Sequence, residues 1–338
     1  MSFHLLILPR QFGIILTVIS WLVAGLFNAS PSFAQTPSKV KIGMPDFSIS
    51  FLAQRVAQGQ GFYQAEGLDV ELIRISIPVS IIALMNKEID FGVVAGSVLA
   101  SSVRGLPLKV IMYSLRTPLH VLVVKPEIKS LQEIKGKVIG VATGTTEAIL
   151  RAMMVHAGLT DKDVKILFIS ESSSRLGALS IGRIDGAILP PPFSVQAERT
   201  GLRRLIGAAD VPEILDGRIA FPPPTGLGVN NDKLLNQPQQ VRQMVRATLR
   251  AHDFIRSRKN DTIKIISDWL KVDGSIAAGS YDAYVSSMSP EGSVSEPFLE
   301  LVIEQQMQAL KVAEKVPLGK VVDFKIVKEA FAESRKAR

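Results

Sequence analysis

Polar and apolar positions along the chain switch repeatedly between the alternation of strands and the longer period of helices. Over residues 39–44 the run Lys-Val-Lys-Ile-Gly-Met predicts a strand, 46–50 its loop, and 51–61 a helix stopping at Gly61. The spacing then predicts a strand over 68–75, a helix over 80–87 and short apolar strands over 91–95 and 108–114. The continuously apolar run at 91–95 suits a strand buried on both faces of a sheet, and 108–114 repeats that character. The β-α-β-α-β order predicts a parallel sheet with helices on both sides.

A further apolar strand is expected over 120–124, and Ser130-Leu131-Gln132-Glu133 has the Ser-x-x-Glu form of a capping box. The unit then restarts, with strands over 138–141, 164–169 and 187–189 and helices over 145–157 and 174–181. One pattern marks both halves. Ala83-Leu84-Met85-Asn86-Lys87-Glu88-Ile89-Asp90 answers Ala178-Leu179-Ser180-Ile181-Gly182-Arg183-Ile184-Asp185, and each copy runs into a short apolar strand. Upstream, Lys41-Ile42-Gly43-Met44 answers Val138-Ile139-Gly140-Val141. A repeated α/β unit predicts two similar lobes with a cleft between them. Residues 227–230 read as a returning strand, and the chain beyond Pro238 is mostly helical. The expected organisation is lobe one over 35–120, lobe two over 121–220, and a return to lobe one over 221–338, with crossings near 118–124 and 223–230.

The first 34 residues stand apart from the fold. Arg10 is their sole charged side chain, an apolar run follows, and Ser32-Phe33-Ala34 supplies small residues before a cleavage site, so Gln35 is the expected new N-terminus. A chain of 338 residues with 47% hydrophobic residues has room for two domains with substantial cores. It contains no cysteine, so an exported form relies on its core without disulfides and has no thiol for a lipid anchor. The formal charge is +8, one less without Arg10, and the basic residues are dispersed apart from 256–259 and the C-terminal tail. Without aromatic stacking platforms this composition argues against nucleic acid as a partner.

Ile134-Lys135-Gly136-Lys137-Val138-Ile139-Gly140-Val141 resembles the segment that opens the second lobe of periplasmic substrate-binding proteins. Together with Gly61-Phe62-Tyr63 through Glu66-Gly67-Leu68-Asp69-Val70 and the twin Ile-Asp units, the chain is similar to the nitrate/sulfonate/taurine type, over about residues 39–330. That group includes proteins resembling pyrimidine-precursor synthases and binding proteins of thiamine metabolism. The resemblance implies an α/β bilobal fold with a hinge, a small-molecule ligand in the cleft, and delivery to an ABC permease in the inner membrane. It also implies a periplasmic location, and a monomer is expected.

Ligands of parallel α/β sheets bind at the carboxyl ends of strands. That rule nominates Thr143, Gly144, Thr145 and Thr146 before the helix over 145–157, where backbone N–H groups and hydroxyls suit an anionic head group. One of these threonines also reads as a helix cap. Gly96 and Ser97 form the corresponding strand-to-helix loop of lobe one, or an ordinary turn. In the first loop Phe47 is placed to line the pocket and Ser48 to hydrogen-bond, while Asp46 reads as a cap. Arg116, after an apolar strand and near a crossing, is placed to take a carboxylate or sulfonate. Pro192 and Phe193 in the run 190–193, and Pro224 in the run 221–225, offer rigid apolar walls or stiff hinge connectors.

His120, His156 and His252 read as structural, and nothing in their spacing suggests a metal or a cofactor. The expected function is capture of a small organic anion for import. The alternatives are an enzyme on the same fold, against which the missing cysteines weigh, and a sensing module for a membrane receptor.

Overall fold

The computed structural model describes residues 37–46, 48–211 and 223–336. The expected leader over 1–34, Phe47 and the pair Phe221-Pro222 lie outside those residues.

Strand β1 (Ser38–Met44) leads through helices α1 (Leu52–Gly59) and α2 (Phe62–Ala65) to β2 (Leu68–Arg74). Helix α3 (Ile77–Met85), β3 (Phe91–Gly92), α4 (Ala95–Val103) and β4 (Leu108–Tyr113) complete the first run. The chain then crosses into β5 (Val121–Val124) and a short 3-10 helix over Leu131–Ile134. It continues with β6 (Val138–Val141), α5 (Thr145–His156), β7 (Lys165–Phe168), α6 (Ser172–Ser180), β8 (Gly186–Leu189), α7 (Phe193–Arg199) and β9 (Arg203–Gly207). After the second crossing come β10 (Gly226–Asn230), α8 (Asn231–Asn236), α9 (Pro238–Ser257), α10 (Lys259–Leu270) and α11 (Gly274–Ser287). Helices α12 (Glu296–Leu310), α13 (Leu318–Val321) and α14 (Lys325–Lys336) follow.

Two five-stranded sheets result, ordered β2-β1-β3-β10-β4 and β7-β6-β8-β5-β9. Helices flank both sheets, giving an α/β architecture. Neither sheet is purely parallel, which corrects the expectation from strand order. Strand β10 runs antiparallel between β3 and β4, and β5 runs antiparallel between β8 and β9. Each is the strand that follows a crossing, so entry from the other lobe reverses its direction. Successive residues of β5 serve opposite faces of the second sheet: Leu122 and Val124 join one buried cluster, Val121 and Val123 another. The whole strand is therefore apolar.

The twin Ile-Asp units turn out to be one structural device used twice. Ile89 packs over Gly43, where a β-carbon would come within 2.7 Å of its Cδ1, and Ile184 packs over Gly140 at 2.8 Å. The Asp90 carboxylate accepts the Lys41 N–H at 2.8 Å, and the Asp185 carboxylate accepts the Val138 N–H at 2.9 Å. Each aspartate N–H donates back to the same residue's carbonyl, and each second carboxylate oxygen meets a lysine at 2.7 Å. Those lysines, Lys233 and Lys125, follow the reversed strands β10 and β5. The devices tie the amino ends of the central strands and leave the carboxyl ends to the cleft. Asp185 is held below the usual carboxylate range: desolvation raises its pKa, but the bonds from Lys125 and the Val138 N–H outweigh it.

Candidate ligand-binding cleft

The carboxyl ends of both sheets converge on one cavity of about 140 Å³. A hydrophobic cavity near 150 Å³ holds a benzene ring, which sets the scale of an occupant. Apolar walls come from Phe51, Ile77, Val93, Val94, Pro45 and Pro78. Four helix starts contribute the polar lining: Ser76 at α3, Ser97 at α4, Thr145 and Thr146 at α5, and Ser172 at α6. At none of these four starts does a side chain cap the exposed N–H groups. At α4 the Gly96 and Ser97 N–H groups are taken by the Pro224 and Val94 carbonyls, so the cleft offers a ligand the first-turn N–H groups of α3, α5 and α6 and the positive ends of the helix dipoles.

The α5 start shows how the sequence builds such a corner. Gly144 lies at φ 86°, a left-handed conformation that glycine adopts without strain. The turn lets the Thr146 hydroxyl fold back, donating to the Ala142 carbonyl at 2.8 Å and accepting its N–H at 2.7 Å. Thr146 is thus the staple of the loop, while Thr143 and Thr145 are less buried and line the cavity.

The cationic group of the cleft is Arg175, 2% exposed on α6. Its Nε donates to the Ile188 carbonyl at 3.0 Å, its Nη1 to the carbonyls of Ile169 and Ser170 at 2.8 Å each, and its Nη2 to Ser172 Oγ at 2.8 Å. Four of its five N–H groups are therefore engaged by described residues. Burial pushes its pKa down to about 10, against the opposing fields of Asp46 and Glu171. Asp46 is pushed up by desolvation, which outweighs the Ser48 hydrogen bond and the nearby Arg175 charge. His120 is pushed down to about 3, chiefly by burial and then by Arg175, so its ring is neutral.

Of the residues nominated from sequence, Ser48, Ser97, Thr143, Thr145, Thr146 and Pro224 line the cavity. Gly96 lies one residue away, inside the first turn of α4 rather than in a loop, and its N–H donates to the Pro224 carbonyl at 3.4 Å. Gly144 shapes the α5 corner without lining it. Pro192 and Phe193 do not line the cavity: Pro192 precedes α7, and Phe193 packs against the cluster containing Leu189 and Ala197. Arg116 is exposed and lies off the cavity wall, with its backbone N–H on the Ser287 carbonyl at 2.7 Å. The expectation that it reaches into the cleft is corrected in favour of Arg175. The structural reading of His120 is likewise modified, since it faces the cavity.

A helix over 174–181 leaves Arg175 unremarked in its first turn, whereas the observed α6 begins two residues earlier, at Ser172. The arginine's spacing of four from the buried Leu179 places it on the core face of α6, and that is the signal. The lobes also touch directly across the cleft. Arg74 at the end of β2 meets Glu171 at 2.7 Å, and Arg199 of α7 meets Asp273 at 2.7 Å. Among the described residues no cluster of three or more His, Asp or Glu groups could hold a metal ion. None of their helices is long and apolar enough to cross a membrane.

Two α/β sheets thus meet at one cavity lined by helix starts, with room for a small molecule. The chain belongs to the NMT1/THI5-like family, whose profile matches residues 49–260. A Haemophilus influenzae protein provisionally named for thiamine biosynthesis is 32% identical over 56% of this chain, which spans 61% of that relative's length. A Brucella abortus protein provisionally named a binding protein is 25% identical, over 64% of this chain and 67% of its own. Among solved structures, the alkanesulfonate-binding protein SsuA from Xanthomonas axonopodis pv. citri superposes with a TM-score of 0.70 at 16% identity. The match covers 86% of this chain and 99% of that one.

Proposed function

We propose that this protein is the solute-binding component of an ABC import system, capturing a small organic acid between its lobes and presenting it to a membrane permease. The observation that carries the reading is the buried Arg175 guanidinium at a cavity where four uncapped helix starts meet. A carboxylate or sulfonate would take the remaining guanidinium N–H and the helix-start N–H groups. A ligand that touches both lobes favours their closure by its differential affinity for the closed form. The leader-like first 34 residues support action outside the cytoplasm, in a periplasm. The binding-protein names of the Brucella and Xanthomonas relatives support the same reading.

A catalytic role, which the Haemophilus relative's name brings to mind, has less behind it. The synthases that the sequence resembles depend on a cysteine-rich stretch, and this chain has no cysteine. The test is thermal unfolding of the mature chain against carboxylates, sulfonates, pyrimidines and nitrate. A ligand at a hundred times its dissociation constant adds about 2.7 kcal/mol, a shift of several degrees. A response to nitrate or to neutral pyrimidines with none to any organic acid would sink the acid assignment.

A further inference from the structure

The cavity holds two polar atoms that the acid-binding reading leaves idle. Asp46 Oδ1 and His120 Nδ1 are both fully shielded from solvent, and neither has a hydrogen-bond partner among the described residues. Both residues line the cavity: Asp46 follows β1 of the first sheet, and His120 lies in the crossing, directly before β5 of the second. Neighbouring groups do not fill the gap. Glu171 is paired with Arg74, Arg175 is engaged by three carbonyls and Ser172, and the Ser48 hydroxyl serves Asp46 without reaching its Oδ1.

A carboxylate oxygen that carries no proton accepts hydrogen bonds, and Nδ1 of a neutral imidazole accepts them in the tautomer protonated at Nε2. Leaving such atoms shielded and unpartnered is unfavourable, so native structures leave few of them without protein, water or ligand. A ligand seated against these atoms without a donor to offer leaves them unpaired and loses affinity.

We infer that Asp46 and His120 form a second subsite that accepts N–H or O–H donors, so the ligand is bifunctional: an acid group for the Arg175 side and a donor group for this corner. The inference rests on the binding reading above and narrows it to amino or hydroxy acids of about one ring or a short chain. Because one residue belongs to the first lobe and the other to the crossing into the second, a ligand that engages both also helps hold the closed arrangement.

The experiment is calorimetric titration of the full mature chain with matched probes. Acids without a donor are benzoate, propanoate and propane-1-sulfonate. Their donor-bearing counterparts are 4-aminobenzoate, 3-aminopropanoate and 3-aminopropane-1-sulfonate, and aniline and propylamine carry the donor alone. The expected result is at least tenfold tighter binding of the donor-bearing member in the pair that fits. In Asp46→Asn, and independently in His120→Gln, that ratio should fall toward one, with melting curves showing that each variant folds. Equal or weaker binding of the donor-bearing members overturns the subsite and leaves the acid reading intact. Binding of aniline or propylamine without any acid supports the subsite and overturns the acid reading. No binding by any probe at millimolar concentration overturns both.

Discussion

Replacing Arg175 by alanine removes four hydrogen bonds, three of them to the backbone carbonyls of Ile169, Ser170 and Ile188. Charge-assisted bonds of this kind contribute about 1.5–3 kcal/mol each, so the gross loss is large. Two effects offset it. The guanidinium no longer has to be desolvated, and water enters the space beside an existing cavity. Breaking a buried charged network by removing one member typically costs about 3–5 kcal/mol, and we expect Arg175→Ala to fall in that range. At this chain length the loss corresponds to a melting shift on the order of 10 °C. Arg175→Lys keeps the charge but not the planar fork, so it should recover less than half of the loss. Arg116→Ala is the control: an exposed side chain off the cavity wall should change stability by no more than about 0.5 kcal/mol and leave ligand binding unaltered. Urea unfolding followed by Trp269 fluorescence gives the three values. Arg175→Ala within about 1 kcal/mol of the parent, or Arg175→Lys indistinguishable from it, would refute the reasoning.

Gly226→Ala should be severely destabilising, because a β-carbon there would lie 2.1 Å from the Met112 carbonyl oxygen and backbone cannot move aside as a side chain can; overpacking costs about 1–3 kcal/mol or more, and urea midpoints read it directly. Acid should weaken the fold through buried histidines. Burial pushes His252 down to about 4 and His120 to about 3, so each ring stays neutral in the folded chain below the unfolded pKa of about 6.5. Their stabilising contribution is therefore complete above pH 6.5 and is lost as pH falls, by about 1.4 kcal/mol per unit for each ring, toward those lowered values. His252→Gln should flatten urea stability measured between pH 7 and pH 5, and an unchanged slope would count against the assignment. Arg74→Ala removes an ion pair across the cleft whose partners are half-exposed, so global stability should move by no more than about 1 kcal/mol. Ligand dissociation, measured by stopped flow, should quicken by up to about fivefold because the closed form loses a contact.

Much of the fold was legible from residues whose chemistry is local. The strand Val138–Val141 and the helix start at Thr145 fall where the apolar run and the Gly144 turn put them. The twin Ile-Asp units pointed to two like lobes, and their basis is visible in the glycine each isoleucine covers and the strand N–H each aspartate accepts. What failed depended on distance along the chain. The run at 91–95 looked like one buried strand, but the strand is only Phe91–Gly92, and Ala95 already begins α4. An apolar stretch that short reads alike in either structure. The reversal of β5 and β10 is set by how the chain enters from the other lobe, and no local pattern records it. At the cleft, helix starts could be found from turn chemistry. Arg175 and the unpartnered atoms of Asp46 and His120 emerged only once burial was known.

The insertion of one lobe within the other also dictates an order of assembly. All five strands of the second sheet come from one continuous stretch, residues 121–207, whereas the first sheet needs β10 from residues 226–230 to join β3 to β4. A chain emerging amino end first can complete its second lobe while the first still lacks a central strand, leaving the apolar edges of β3 and β4 open in the interval. Pairings across such sequence separations close slowly and expose aggregation-prone edges. Lobe two should therefore fold as an autonomous unit, and lobe one should govern both the refolding rate and the need for a chaperone.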